Sequence, residues 1–506
     1  MAAAERNDPV AARARMTTRE KIGLTLMVAV MLLTRLPYLG HPAPDYDEQL
    51  YSLIGQRVLH GALPYVDLWD RKPIGLFLLY ALAHALGGDG PLAYQLLALL
   101  FCLVGGLLVW RIGLYLTDRG TAALASGLYP LLMAVYGSQT GQSEIFFMPA
   151  IMAMALLVLR AAHCRQERNA LRFTYGAMAL GGLALQIKYT ALCQCLYFGI
   201  GALGVLRRRE LSLTRLARQA AVFALLGVLP TALAALFYFG QGKWPDFLFA
   251  NLLSIGRRGA MPAALTWKAQ AIFALPLIVL AAGGLVYALR AMPRAPGWWF
   301  APGWLAAALA GLFMGSTIYP YYYAALVPAV ILTALPMFER RRPLGTVTLA
   351  AALGGLLLVF NPPAHFAAAR RERASLAEMV HQLSPQVTRD HRLFVYDGPV
   401  ALYRLTGSCL PTRFIYPDHL NNLLEAHALP VDPTAEVARI LAHRPGAIVT
   451  TRDAVTLRNP GTDRLLGQEL QRNYSLLTSI DFQDRRIDLY ARRNAADPVT
   501  KSADHR

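Results

Sequence analysis

Long apolar runs, separated by short polar connections, dominate this 506-residue chain. Each run of about 17 to 25 residues is long enough to cross a hydrocarbon core about 30 Å thick. The pattern predicts about eleven membrane spans, at 22–39, 91–112, 120–137, 145–161, 172–187, 190–206, 218–239, 269–290, 299–316, 320–338 and 344–361. The composition agrees: 55% of residues are hydrophobic, only 16% are charged, and the mean hydropathy is +0.37. The first run follows Arg13, Arg15, Arg19 and Lys21. It is longer than the apolar core of a signal peptide and has no small-residue cleavage site, so it reads as a retained span.

Charge then orients the spans. The net charge of +18 is spread over short connections rather than massed on one face, which argues against a nucleic-acid partner and for a topology signal. One set of connections carries Arg111 and Arg119; Arg160, Arg165, Arg168 and Arg172; Arg207, Arg208, Arg209, Arg215 and Arg218; Arg290 and Arg294; and Arg340, Arg341 and Arg342. With residues 1–21 these are expected in the cytoplasm. The alternate connections carry only Lys188. They share the outer side with two long loops, 41–90 and 240–268, within a membrane domain spanning 22–362. The segment PIGLFLLYALAHALGG (73–88) is short for a crossing, and counting it as a span would place the basic loops outside, so it is laid along the outer surface.

From residue 363 to 506 the composition becomes mixed. Strand-like runs RLFVYD, GAIVTT, YSLLTSI and IDLYA, with the helical spacing of TAEVARILAHR, predict a small α/β domain outside the membrane. Cys102, Cys164, Cys193, Cys195 and Cys409 have no metal-ligand spacing.

The residues able to do chemistry gather on the outer side. The first long loop holds Asp45, Asp47, Glu48, Asp67, Asp70, Arg71 and Lys72. After its acidic group, Leu50, Leu53, Ile54 and Val58 suit one face of a helix at the interface. Asp45 and Glu48 fit a capping box, which leaves Asp47 as the better general base, because a carboxylate near a helix N-terminus stays ionised. Arg71 and Lys72 precede Pro73, which favours a helix start, so two cations meet free backbone N–H groups at a site suited to phosphate or to a lipid headgroup. Glu144 opens a span and must lie at the surface or in a polar cavity. Lys188 is a lone cation that could pair with it. Lys243, Arg257, Arg258 and Lys268, with Trp244, Phe247 and Trp267, suit a phospholipid-like ligand or membrane anchoring, and TIYPYYYAALVP (317–328) sets tyrosines at a helix mouth.

At these residues the sequence resembles the PMT-like, GT-C class of membrane glycosyltransferases, which includes protein O-mannosyltransferases and the lipid A aminoarabinose transferase. The likeness runs over roughly residues 20 to 360. It is carried by the D-E-x-x-Y of Asp47, Glu48 and Tyr51, the KP of Lys72 and Pro73, the acidic residue opening a span at Glu144, and GGLALQIKYTAL around Lys188. Leu50 stands where the aminoarabinose enzymes carry arginine, and Glu144 where they carry aspartate, which puts that sugar in doubt.

The resemblance implies a GT-C fold in the cytoplasmic (inner) membrane, N-terminus in and C-terminus out. It implies transfer from a sugar on a polyprenyl phosphate to a hydroxyl of an extracytoplasmic glycan, lipid or protein acceptor. Asp47, Glu48 and Glu144 are the catalytic candidates; Lys72, Arg71, Lys188 and Arg258 the donor-phosphate candidates; Tyr51 and Tyr322 substrate contacts. A nucleotide-binding glycine loop is neither needed nor present. No cofactor is assigned and a divalent metal stays open, although His41 and His60 beside the acidic helix are a poor ligand set. The rival class is a transporter or flippase for a lipid-linked glycan, against which the charge-poor span interiors argue.

Overall fold

The architecture comes from a computed structural model that describes residues 15–260, 263–291, 297, 299–315, 317–339 and 344–493. Arg13, Arg294, Arg340, Arg341 and Arg342 of the basic segments lie outside the described residues, as does the side chain of Trp267.

Among the described residues, eight helices are long and apolar enough to cross a membrane: Thr18–Tyr38, Pro91–Gly113, Ser143–His163, Tyr189–Arg207, Leu213–Gly240, Lys268–Arg290, Pro320–Phe338 and Gly345–Gln386. The expected span at 172–187 overlaps the helix Glu167–Leu185. The one at 299–316 is a 13-residue helix, Phe300–Leu312. The expected span at 120–137 is two short helices, Arg119–Ala125 and Leu128–Val135. Pro130 has no N–H to return to Ser126, which loosens the turn there. Buried Arg35 then donates to the carbonyls of Pro130 (3.1 Å) and Ser138 (3.2 Å).

The basic connections share a face. Arg209 donates to the carbonyls of Ala161 (2.9 Å) and Cys164, and Arg119 pairs with Glu20 at 2.8 Å. The first span α1 (Thr18–Arg35) starts on that face and leads to the acidic loop at the other end.

There the chain forms α2 (Tyr46–Leu59) and α3 (Ile74–Gly87), followed by the span α4 (Pro91–Gly113). The sequence suggested that α2 would rest at the interface on one apolar face. Instead every residue from Glu48 to Gln56 is buried, because α2 is covered by α3 on one side and by the C-terminal region on the other. Gly55 allows the α2–α3 contact: a Cβ there would stand 2.7 Å from Cβ of Tyr80. The exposed apolar face belongs to α3, where Leu78, Leu82 and Leu86 follow one another at four-residue spacing, as expected of a helix on a membrane surface.

Beyond the last long helix a four-stranded sheet forms, with β1 (Leu393–Val395), β2 (Ala447–Thr451), β3 (Tyr474–Phe482) and β4 (Arg485–Arg492) in the order β1-β2-β4-β3. β1 and β2 are parallel and the other pairs antiparallel. The four strand-like runs and the helical run of the sequence all fall on these elements and on the helix Pro433–Ala442. Phe394, Tyr396, Val437, Ile440, Ile448 and Leu466 form the core of this layer. Trp69, from the first outer loop, is inserted into the same core. Its ring lies 5.8 Å from Phe414 and 4.7 Å from His419, and the backbone N–H of Trp69 donates to the carbonyl of Arg413 at 3.0 Å. This plug, with Gln49 accepting from the N–H of Ala401 (2.9 Å), fixes the sheet domain over the acidic loop.

Candidate active site

Docking encloses a cavity of about 230 Å³ between the first outer loop, the second long loop, the tyrosine segment and the sheet domain. Asp47, Tyr51, Arg71, Lys72, Arg258 and Tyr322, all singled out in the sequence, line it together.

Asp47 sits in the first turn of α2. One carboxylate oxygen accepts from Tyr51 at 3.0 Å and the other from Tyr416 at 2.8 Å, while the Lys72 ammonium lies 4.0 Å away. Asp45 caps the helix by accepting from the N–H of Asp47 (2.9 Å), and also accepts from Gln142 (2.7 Å). Burial and the charge of Asp47 push the Asp45 carboxyl up to about 7. The capping box is incomplete. Glu48 turns inward to Thr140, whose hydroxyl donates at 2.6 Å, and burial followed by the Asp45 charge raises its carboxyl to about 8. Glu48 does not line the cavity.

The loop that carries Arg71 and Lys72 is rigid. Fully buried Tyr65 adopts a left-handed backbone (φ 70°) and its hydroxyl donates to the carbonyl of Lys72 at 2.9 Å. Asp70 accepts from the N–H of Lys72 at 2.8 Å. Pro73 caps α3 rather than opening it. Burial opposes the charge on Lys72, but Asp47 and its other anionic neighbours outweigh it and hold the ammonium protonated.

Arg71 grips Glu425 with both terminal nitrogens, and Arg258 approaches the same carboxylate at 2.7 Å while donating to Tyr319 at 2.7 Å. Burial disfavours the charge on Glu425, yet the two arginines hold it below the usual carboxylate range. Two guanidinium groups thus converge on one anion. Asp418 stands beside them, pushed up to about 7 by burial and by the charges of Glu425 and Asp397.

Glu144 and Lys188 form the ion pair the sequence allowed, in a separate small cavity. Ser143 donates to Glu144 at 2.9 Å, and the Lys188 ammonium lies 3.9 Å from the centre of the Tyr322 ring. That ring separates the pair from the larger cavity, since Tyr322 lines both.

Sequence reasoning missed the lining from the sheet domain: Asp397, Tyr416, Asp418, His419, Glu425 and Arg485. No spacing in the chain joins them to the first loop; the Trp69 plug and the contacts of Gln49, Asp47 and Arg71 with the sheet domain do so in space. Among the described residues, no group of three His, Cys, Asp or Glu side chains is arranged to hold a metal ion. His41 lies 3.3 Å from Glu372, whereas His60 lines another cavity, so the two do not converge.

A membrane bundle with a polar cavity under a small sheet domain is the GT-C architecture. Residues 71–233 match the family model of dolichyl-phosphate-mannose-protein mannosyltransferases. The fold is similar to ArnT from Cupriavidus metallidurans bound to undecaprenyl phosphate, with a TM-score of 0.63 and 16% identity over 92% of this chain and 97% of that one. It is also similar to the oligosaccharyltransferase AglB from Archaeoglobus fulgidus, solved with an inhibitory peptide and a dolichol-phosphate (TM-score 0.51, 12% identity, 95% of this chain and 75% of that one). No curated protein sequence matches significantly. The chain thus has the GT-C fold, and over residues 71–233 it is similar to the PMT-like membrane glycosyltransferases.

Proposed function

We propose that the chain moves a single sugar from a polyprenyl-phosphate donor to a hydroxyl of an acceptor outside the cytoplasm. The observation that carries this reading is one cavity in which a carboxylate near a helix start, Asp47, faces Lys72, with Arg71 and Arg258 alongside. Asp47 takes the proton of the acceptor hydroxyl, and the oxygen attacks the anomeric carbon. The bond from that carbon to the phosphate oxygen breaks, and the phosphate leaves with the electron pair. Lys72 and the two arginines stabilise that developing charge. Tyr51 and Tyr416 orient the carboxylate, and one of them yields its place to the acceptor. Glu144 and Lys188 act as a buttress under Tyr322. The undecaprenyl phosphate in the ArnT structure and the dolichol-phosphate in the AglB structure support a lipid-phosphate carrier. A cavity of about 230 Å³ suits one sugar with its phosphate better than a long glycan, being smaller than the roughly 300–1,000 Å³ of pockets for larger ligands.

The hydrogen bond between Asp47 and Tyr416 supports a first loop and a sheet domain on the same side of the membrane, and the basic connections support reading that side as the exterior. An alkaline phosphatase fusion at the end of the chain is expected to be active and a green fluorescent fusion dark. The reverse pattern would put the cavity in the cytoplasm and end the proposal of an outer-leaflet donor.

The activity itself is tested by mass spectrometry of envelope glycans, lipids and proteins from a deletion strain and its parent. Loss of one sugar from one class of acceptor, restored by the gene, is expected. Movement of the lipid-linked sugar across the bilayer with no change in any acceptor would favour the transporter reading.

A further inference from the structure

We propose that a second cavity, between the end of α2, the start of α4 and the helix Ala401–Leu405, binds the headgroup of an anionic phospholipid through Arg404 and Arg57. This cavity of about 230 Å³ shares no lining residue with the site described above. Its charged and titratable lining is Arg57, His60, Tyr403, Arg404 and Asp89, so the two arginines outnumber the single carboxylate.

Among the described residues, neither guanidinium donates a hydrogen bond or stands in an ion pair, and Arg404 is half-buried. A cation partly withdrawn from water with no anion in contact is costly. Burial accordingly pushes the Arg404 guanidinium below its usual range, with only Tyr94 and Asp89 pulling the other way. The arrangement is that of an anion site awaiting its anion.

Its level in the membrane selects the source of that anion. Asp89 lies two residues before Pro91, where the α4 span begins, so the cavity opens at the end of a span. Around it Leu59, Leu86 and Leu92 are 46%, 80% and 45% exposed, and Leu78 and Leu82 continue the apolar face of α3. A phosphate held in the cavity would carry its acyl chains over these leucines. A free phosphate would gain nothing from them, and the leucines would stay bare.

The test uses the full chain in nanodiscs of phosphatidylcholine with phosphatidylglycerol as the minor lipid, and native mass spectrometry to count retained lipid. Preferential retention of phosphatidylglycerol is expected. Arg404→Gln and Arg57→Gln should each lower it about fivefold or more, the scale of one cation acting at an anionic lipid surface. Added inorganic phosphate should leave it unchanged. Equal retention of both lipids, or parental retention in both variants, would overturn the proposal, and displacement by phosphate would assign the site to a free anion instead. Arg57 is exposed, so its variant decides the matter even where Arg404→Gln fails to fold.

Discussion

Asp47→Asn is expected to lower sugar transfer about a hundredfold to ten-thousandfold, the usual contribution of a positioned general base. The substitution is close to a pure test of proton acceptance. An amide oxygen still accepts from a tyrosine hydroxyl, so the bonds from Tyr51 and Tyr416 need not both be lost. The side chain keeps its size in a partly buried first turn, and Asp45 still caps α2. What disappears is the negative charge. The Asp45 carboxyl, raised to about 7 partly by that charge, should move down toward its ordinary range, which is a gain for the fold above neutral pH. Protein yield and binding of undecaprenyl phosphate should therefore persist while turnover falls. The measurement is transfer by purified protein in liposomes, alongside lipid-phosphate binding by the same preparation. Parental turnover would remove Asp47 as the base and return the question to Asp45 or Asp418, the acids of the cavity not held by a histidine or arginine.

Much of this molecule was legible because lipid makes simple demands. Apolar runs near 20 residues had to be helices, and basic connections had to share a face. The strands were legible for a different reason: GAIVTT and IDLYA are rich in β-branched and aromatic residues, and they pair directly as β2 and β4. Reading failed where local pattern was overruled by packing. The apolar stripe of α2 suggested a lipid-facing helix, but the sheet domain covers its other side, and only α3 keeps an exposed leucine face. Glu48 matched a capping box by spacing, yet Thr140, 92 residues away, offered its carboxylate a buried hydroxyl. Within the cavity, the first-loop residues were visible as an unexplained density of charge. Tyr416 and Glu425 were not, because nothing in their neighbourhood announces that Trp69 will carry the first loop into their domain. A tryptophan in a charged outer loop was the one signal present, and it can be read as a membrane anchor just as well.

Lys72→Met is the second large effect, and the geometry sharpens what it should do. Lys72 is the cation nearest Asp47, while Arg71 and Arg258 are held on Glu425 and reach the donor only by sharing or releasing that carboxylate. The ammonium is thus the cation best placed to meet phosphate and base together. Removing one preorganised donor from developing negative charge costs on the order of 2.7 to 4 kcal/mol of barrier, so turnover should fall about a hundredfold or more. A lipid anchor would instead lose about 1 kcal/mol of surface attraction, shared among several cations, with turnover nearly unchanged. Lys72→Arg should fall between parent and Met, since charge survives but a planar fork replaces a point-like ammonium only 4.0 Å from a carboxylate. Rates at saturating lipid-linked donor separate the readings, and near-parental turnover would take Lys72 out of the site and leave the phosphate to Arg71 and Arg258.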